Sequence, residues 1–150
     1  MDMTRTIRAL AGLAVAATCL AGCSVKKQEA PPLAGPSGPG WSESWIVYAN
    51  PYIAGKELTV QPGCTAVVTD GAAYGCILLQ GHGAVGVHAA ETSVMLRYGG
   101  LSADEYFVSA PAAAAGVRIV NRSRWEPLVL LKHFGPDHPD VPLAVPETGC

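Results

Sequence analysis

The sequence predicts an all-β fold, a single domain built as a sandwich or barrel. Its middle part contains about nine short segments rich in Val, Ile, Leu, Tyr and Thr, which recur roughly every ten residues, a spacing typical of these folds. Glycine pairs and Asp-Gly steps separate many of these segments. Helix is scarce, because Pro111 and Gly116 confine the one candidate, 109–115, to about a single turn.

The predicted strands follow one another from Trp45 to Phe134. Each is a short apolar run or alternates apolar with polar residues, and Pro, Gly or Asn residues mark the turns between them. We predict strands over 45–48, 56–60, 65–69, 76–80, 84–88, 94–98, 105–109, 116–121 and 128–134.

Two cysteines lie on either side of a turn-forming Asp-Gly step. Cys64 and Cys76 are placed symmetrically about Asp70 and Gly71. If 65–69 and 74–79 pair as a hairpin across that step, the two thiols face each other, and a disulfide is expected in an oxidising compartment. The alternative is a pair of small buried thiols. Cys150 is left without a predicted partner.

The first 22 residues have the three parts of a secretory signal peptide. Arg5 and Arg8 precede an apolar run that is too short for a transmembrane helix, and a Leu-Ala-Gly sequence precedes Cys23. This pattern resembles the lipobox of bacterial lipoproteins. The resemblance implies that Cys23 becomes the first residue, carries palmitate and related acyl chains, and attaches the protein to a membrane. The alternative is an ordinary signal peptide that is cut nearby. The expected location is the bacterial cell envelope, and Ser24 is compatible with the outer membrane.

Two segments flank the predicted barrel, which covers 41–134. Residues 23–40 comprise the lipidated cysteine and a stretch rich in Pro, Gly and Ser, a composition that predicts a flexible tether. Residues 135–150 are proline-rich and predict an extended tail, either lying on the barrel or free, with His138 in solvent. The net charge of −2 becomes more negative when the signal peptide is removed, which argues against a nucleic-acid partner.

Two blocks within the barrel carry features of a known family. In the first, Tyr-Gly-Cys-Ile-Leu-Leu-Gln-Gly-His-Gly (74–83) contains a strand that ends at Gly81, and Arg-Tyr-Gly-Gly follows at 97–100. In the second, Asp104 opens a strand, and a later strand ends at Asn121 before Glu-Pro-Leu. Together they resemble a cupin domain. The resemblance covers about residues 56–134 and implies a double-stranded β-helix, or jelly-roll barrel.

The chain departs from the pattern of metal-dependent cupins. Those proteins carry a His-x-His pair and a Glu before the glycine of the first block, and another His before the terminal Asn. Counting back from Gly81 places Tyr74 at the Glu position. The positions of the histidines fall on Val67 or Val68, on Thr69 or Asp70, and within 112–117. Only Asp70 is even a weak substitute for imidazole, so we expect neither a metal ion nor another cofactor.

Six polar side chains in the predicted strands or at their ends are candidates for a ligand pocket. They are His82, His88, Arg97, Glu105, Arg118 and His133. One interpretation brings His82 and His88 together across a hairpin, where Glu91 would complete a small metal or proton-transfer cluster. The alternative is that both histidines bond only to backbone and solvent.

The remaining candidates depend on which strand face is buried. Arg97 and Arg118 either point inwards onto Glu105 or an anionic ligand, or lie on a solvated face. His133 shares a strand face with Leu131, and it lines a cavity if that face is the inner one or otherwise sits at the rim.

These observations favour a binding or assembly module over an enzyme. The expected ligand is small and polar or sugar-like, bound at the mouth of a metal-free barrel. One alternative is a sugar isomerase or epimerase that uses replacement residues such as His82, His88, Glu105 and His133. The other is a structural envelope protein whose edge strands pair with a partner.

Overall fold

A computed structural model describes residues 32–93 and 97–143, which contain ten β-strands and one short helix. In chain order the elements are β1 (Leu33–Gly38), β2 (Trp41–Val47), β3 (Ala54–Val60), β4 (Thr65–Val68), β5 (Tyr74–Gln80), β6 (His82–Val85), β7 (His88–Glu91), β8 (Glu105–Val108), α1 (Ala110–Ala115), β9 (Val117–Asn121) and β10 (Leu128–Phe134). The predicted all-β fold is confirmed. The helix falls where the sequence places it and is six residues long.

The strands form two antiparallel sheets that face each other. The larger has the order β1-β2-β3-β10-β5-β8, and the smaller has the order β4-β9-β6-β7. From β3 onwards the chain passes back and forth between the sheets: β3, β5, β8 and β10 lie in the larger, and β4, β6, β7 and β9 in the smaller. This alternation is the jelly-roll arrangement expected of a cupin-like barrel.

The core lies between the sheets and is built from the inward residue of each alternating pair. Leu130 of β10 pairs with Leu58 of β3 on one side and with Leu78 of β5 on the other, and all three are fully buried. Val68 and Ile119 cover them from the smaller sheet. Burying a side chain of this size stabilises the fold by about 1.5–3 kcal/mol, so this layer supplies much of the barrel's stability.

Several predicted strands differ from the structure. The segment 84–88 is broken by a turn at Gly86, where φ is 62°, so that β6 and β7 form a hairpin instead of one strand. Within 94–98, residues 94–96 lie outside the described residues, and Arg97 begins a turn closed by a 2.8 Å hydrogen bond from the Gly100 amide. The hairpin predicted from 65–69 and 74–79 is wrong, because β4 pairs with β9 in the other sheet.

The end of the predicted tether is also a strand. β1 pairs with β2 in antiparallel register, and Leu33 packs against the core. Backbone hydrogen bonding needs no particular side chain, so the Pro, Gly and Ser content of this stretch does not prevent pairing at a sheet edge. The signal peptide, Cys23 and Cys150 lie outside the described residues. In the described part of the chain, no helix has the length and hydropathy needed to cross a membrane.

Candidate functional site

The predicted cluster of His82, His88 and Glu91 does not form. His82 pairs with Glu91 at one end of the β6–β7 hairpin, whereas His88 pairs with Val85 at the other end. His82 Nδ1 instead lies 3.9 Å from a carboxylate oxygen of Glu126, and both side chains are partly exposed. The two histidines therefore do not meet, because the turn at Gly86 falls two residues before His88 and puts them at opposite ends of the hairpin.

Three other candidates point into solvent and lie apart. Arg97 lies in an exposed turn instead of a strand, and Glu105 is exposed on β8. His133 lies on the outer face of β10, where its ring covers Gly75 so closely that a Cβ there would overlap it. In the described residues, no ion pair joins Arg97 to Glu105.

The two remaining candidates, His88 and Arg118, line the same open groove. It has a volume of about 750 Å³ and runs between the β6–β7 turn, the edge strand β8 and helix α1. Its apolar floor and walls are formed by Val85, Val108, Ala112, Ala115 and Val117. Two of the six candidate side chains thus border one concave surface.

Tyr106 forms the polar wall of this groove. Its hydroxyl lies 2.6 Å from the carbonyl oxygen of Ala89 and 2.7 Å from that of Ala103, which holds the ring in place. The rings of Tyr106 and His88 are 6.4 Å apart. Partial burial raises the pKa of Tyr106, so the phenol stays neutral. Within the described part of the chain, no carboxylate pairs with Arg118, which leaves its guanidinium available to an anion.

The barrel interior contains a second polar site, a cluster of four buried charges. Lys132 of β10 lies 2.7 Å from Asp70 and contacts Glu43 of β2, and Lys56 of β3 lies 2.6 Å from Asp70 and 3.7 Å from Glu43. The four side chains are at most 4% exposed. Two ammonium groups and two carboxylates thus form an internally balanced network, which we call the ion cluster.

Aromatic rings surround the ion cluster. The Lys56 ammonium lies 4.5 Å from the centre of the Trp45 ring, and that of Lys132 lies 5.0 Å from the centre of the Tyr74 ring. Burial raises the pKa of Glu43 although Lys132 and Lys56 oppose the shift. The same burial raises the pKa of Tyr74, so its hydroxyl remains protonated beside the charges. The cluster is therefore a desolvated and tightly packed part of the core.

The tail closes the barrel over the ion cluster. His138 is 3% exposed, and its ring lies edge-on to Phe134 at 4.3 Å and to Trp45 at 5.3 Å. The prediction that His138 is in solvent is wrong, because the extended tail folds back over the mouth. A 2.7 Å hydrogen bond from the Ala49 amide to the carbonyl oxygen of Pro142 secures this folded-back segment, residues 135–143, which we call the strap. Outside it, a cavity of about 330 Å³ is lined by Ile53, His138 and their neighbours.

Cys64 and Cys76 are free thiols in this structure, which corrects the predicted disulfide. Cys76 lies on β5 in the larger sheet, opposite Lys132 and Tyr106, while Cys64 precedes β4 of the smaller sheet. The two are not cross-strand neighbours because β4 and β5 belong to different sheets. Burial raises the pKa of Cys76 to about 11, so this thiol is inert at neutral pH.

The sequence interpretation missed most of the ion cluster. Only Asp70 had been singled out, as a weak donor. The alternation of β10 and of β3 did carry a signal, since Lys132 shares a face with Leu130, and Lys56 with Leu58. Across residues 32–93 and 97–143, no three His, Cys, Asp or Glu side chains are arranged to hold a metal ion.

Comparison with known proteins bears on the fold. Neither a protein-family model nor a curated protein matches the chain. An RmlC-like cupin from Shewanella frigidimarina NCIMB 400 matches 73% of this chain and 87% of its own, with 16% identity and a TM-score of 0.50. The chain is also similar to a cupin-2 domain from Rhodospirillum rubrum, with 17% identity over 75% of this chain and 74% of that one and a TM-score of 0.46. A further similar structure is the polyketide cyclase RemF from Streptomyces resistomycificus, with 11% identity over 75% of this chain and 80% of that one and a TM-score of 0.49. Because the identity is so low, the first match supports a conclusion about the fold alone. The chain is an all-β jelly roll of the cupin type.

Proposed function

We propose that this protein is a lipid-anchored binding module of the bacterial cell envelope that takes a small ligand bearing a carboxylate, such as a sugar acid, in the groove beside Arg118. The observation that carries the proposal is that Arg118, at the edge of a concave and largely apolar surface, has no carboxylate partner among the residues that the structure describes. A guanidinium binds a carboxylate through two parallel hydrogen bonds, which gives both attraction and orientation.

The other groove residues suit the rest of such a ligand. His88 and Tyr106 present rings on which an apolar or sugar-like face can pack, and Val85 and Val117 supply apolar contact below. A volume of about 750 Å³ lies within the range of small-molecule sites. The groove therefore combines one charged group that fixes orientation with a hydrophobic body that supplies contact area.

The barrel interior does not fit the metal ion of metal-dependent cupins. At the positions that correspond to that family's ligands, Val68 and Val117 offer no donor atom, and Tyr74 is kept protonated by burial. Both carboxylate oxygens of Asp70 already accept hydrogen bonds from lysine ammonium groups. A divalent cation would have to approach two positive charges, so we propose a metal-free barrel in which the ion cluster fills the interior.

The isomerase or epimerase alternative has less support. Its four replacement residues lie on different parts of the barrel. His88 borders the groove and His82 lies at the far end of the hairpin, whereas Glu105 is exposed on β8 and His133 lies on the outer face of β10. General acid–base catalysis needs such groups within hydrogen-bonding reach of one substrate. Ligand binding needs only the groove.

Lipid attachment at Cys23 and location in the outer membrane remain proposals that rest on the sequence pattern before that residue. Growing cells with labelled palmitate and isolating the protein tests them directly. Incorporation at Cys23, lost in Cys23→Ser, supports the anchor, and an unlabelled polypeptide overturns it.

The ligand proposal is tested by thermal denaturation with galacturonate and gluconate as probes and with galactose as the neutral match. We expect the acids to raise the melting temperature and galactose to have no effect. Arg118→Gln should abolish the rise, and Arg124→Gln, an exposed arginine in the loop before β10, should retain it. Binding that survives Arg118→Gln, no response to either acid, or stoichiometric transition metal in the purified protein would overturn the proposal.

A further inference from the structure

One end of the barrel carries both the start of the described chain and its tail. Leu33 of β1 pairs with Trp45 near the end of β2, and the connection between β2 and β3, residues 48–53, follows directly. The strap crosses the same end, because the carbonyl oxygen of Pro142 bonds to the Ala49 amide. We call residues 48–53, the strap 135–143 and Pro32 the entry end of the barrel.

The link between Cys23 and the barrel is shorter than the predicted tether. The sequence predicts a tether of 17 residues, 24–40, which would reach roughly 55–60 Å when extended. Since β1 takes up Leu33–Gly38, only residues 24–31 separate Cys23 from the described chain. A segment of that length spans about 30 Å at most and about 16 Å as a flexible coil. A lipid on Cys23 would therefore hold the entry end close to the bilayer.

Large apolar side chains are exposed at the entry end. Tyr52, Ile53 and Leu143 are 75%, 54% and 77% exposed, and Ile53 and Leu143 border the same cavity outside the strap. The Asn50 side chain accepts a 2.8 Å hydrogen bond from the Tyr52 amide, which fixes the loop that presents this tyrosine. An aromatic residue with a polar tip next to aliphatic residues suits the boundary between lipid headgroups and acyl chains.

We propose that the entry end rests on the bilayer surface, with Tyr52, Ile53 and Leu143 inserted at the headgroup boundary. This inference depends on the proposed lipid anchor at Cys23. The exposed Asp137 and Asp140 of the strap give no attraction to anionic lipids, so apolar burial supplies the contact. The groove beside Arg118 opens near this end too: α1 borders it, and the carbonyl oxygen of Ala113 in α1 accepts a hydrogen bond from the amide of Asp70, next to Gly71, which lies against Pro139 of the strap. Its ligand would therefore be taken up beside the membrane.

The opposite end supplies matched reference side chains. Tyr98 and Trp125 are fully or almost fully exposed there, in the connection that follows β7 and in the loop before β10. Hydroxyl-radical footprinting reads the accessibility of such side chains directly. The acylated full-length protein, reconstituted on phosphatidylcholine–phosphatidylethanolamine vesicles, is compared with the Cys23→Ser chain in solution.

We expect the oxidation of Tyr52 relative to Tyr98 to fall severalfold on the vesicles, with Leu143 protected in parallel and Trp125 unchanged. Ile53→Asp should stay bound through its lipid and lose that protection, whereas Trp125→Asp should keep it. An acylated protein with equal oxidation at both ends, or with protection at Trp125, would overturn the inference and leave the anchor intact. A protein that mass spectrometry shows to lack acyl chains would overturn the anchor and this inference with it.

Discussion

Lys132 Nζ and Asp70 Oδ2 lie 2.7 Å apart in the barrel interior and join the two sheets. Lys132 comes from β10 of the larger sheet, and Asp70 follows β4 of the smaller one. Burying either charge alone would be strongly unfavourable, so each charge offsets part of the desolvation cost of the other. Because Lys56 and Glu43 complete the balance, we interpret the ion cluster as the element that fixes how the two sheets pack.

Removing one positive charge should therefore destabilise the fold strongly. Lys132→Met keeps most of the side-chain volume but leaves two carboxylates with one ammonium group. We expect a loss of about 3–5 kcal/mol in the free energy of unfolding. Urea denaturation measures it, and His133→Ala, on the exposed face of the same strand, should change the value by no more than about 0.5 kcal/mol.

Charge balance leads to a second prediction for the ion cluster. In Lys132→Met combined with Asp70→Asn, Lys56 and Glu43 remain as one pair, 3.7 Å apart. The double variant should regain most of the stability lost by Lys132→Met alone. Losses that simply add would mean that the two residues do not act as a unit.

The strap should loosen in mild acid through His138. Burial lowers the pKa of His138 below its ordinary value of 6.5, and the charge of Lys56 is the next largest cause in the same direction. Asp140 and Asp70 oppose the shift without cancelling it, and Lys132 adds a smaller lowering effect. The unfolded chain then takes up a proton at a higher pH than the folded one. The stability that this histidine contributes is complete above about pH 6.5 and is lost as the pH falls from there towards the folded-state pKa.

Comparison with His138→Gln isolates this contribution. Urea denaturation should show that the free energy of unfolding of the native chain falls between about pH 7.5 and about pH 5, and that the fall is smaller in the variant. The titration of the carboxylates cancels when the two pH profiles are subtracted, because both proteins contain them. Burial raises the pKa of Glu43, so its contribution to the free energy of unfolding has the opposite pH dependence and decreases as the pH rises above the ordinary value of 4.5. Identical profiles would show that His138 does not titrate with unfolding.

The sequence predicts an all-β sandwich or barrel because strand spacing and turn residues are local properties, and the resemblance to cupins implies the jelly-roll form. It did not predict which face of β10 is buried. Alternation separates Lys132 from His133 but does not say which is inside, and a lysine is rarely buried without partners. Those partners are distant along the chain: Asp70 is 62 residues from Lys132. Only the pairing of β2, β3 and β10, with the end of β4 packed against them from the other sheet, brings the four charges together.

The groove illustrates the same limit. Arg118 and His88 are among the candidates that the sequence predicts, but no feature of the sequence separates them from Arg97 or His133. Their shared position depends on a turn at Gly86 and on β8 standing at a sheet edge. The strand β1 was missed for the opposite reason, since its composition is typical of a linker and its pairing uses backbone groups alone.

The two described thiols should differ sharply in reactivity. Maleimide labelling of the native protein, read by mass spectrometry of peptides, should modify Cys64, which is partly exposed, and spare Cys76, whose pKa burial raises to about 11. Cys76 should react only when urea unfolds the chain. Dithiothreitol should leave the urea midpoint unchanged, whereas a drop on reduction would contradict the free thiols of Cys64 and Cys76, the two cysteines that the structure describes.

Gly81, at the end of β5, should tolerate no side chain. Its φ is 84°, and a Cβ atom would lie 2.7 Å from the carbonyl oxygen of Pro127, which is backbone and cannot rotate away. Gly81→Ala should therefore cost about 2–4 kcal/mol, from strain and from the displacement of the loop before β10. Gly99 is a matched control, since its φ is 79° but nothing lies within 4 Å of the added atom. Gly99→Ala should cost only the backbone strain, about 1–2 kcal/mol, and equal losses in thermal or urea denaturation would exclude the contact with Pro127 as the cause.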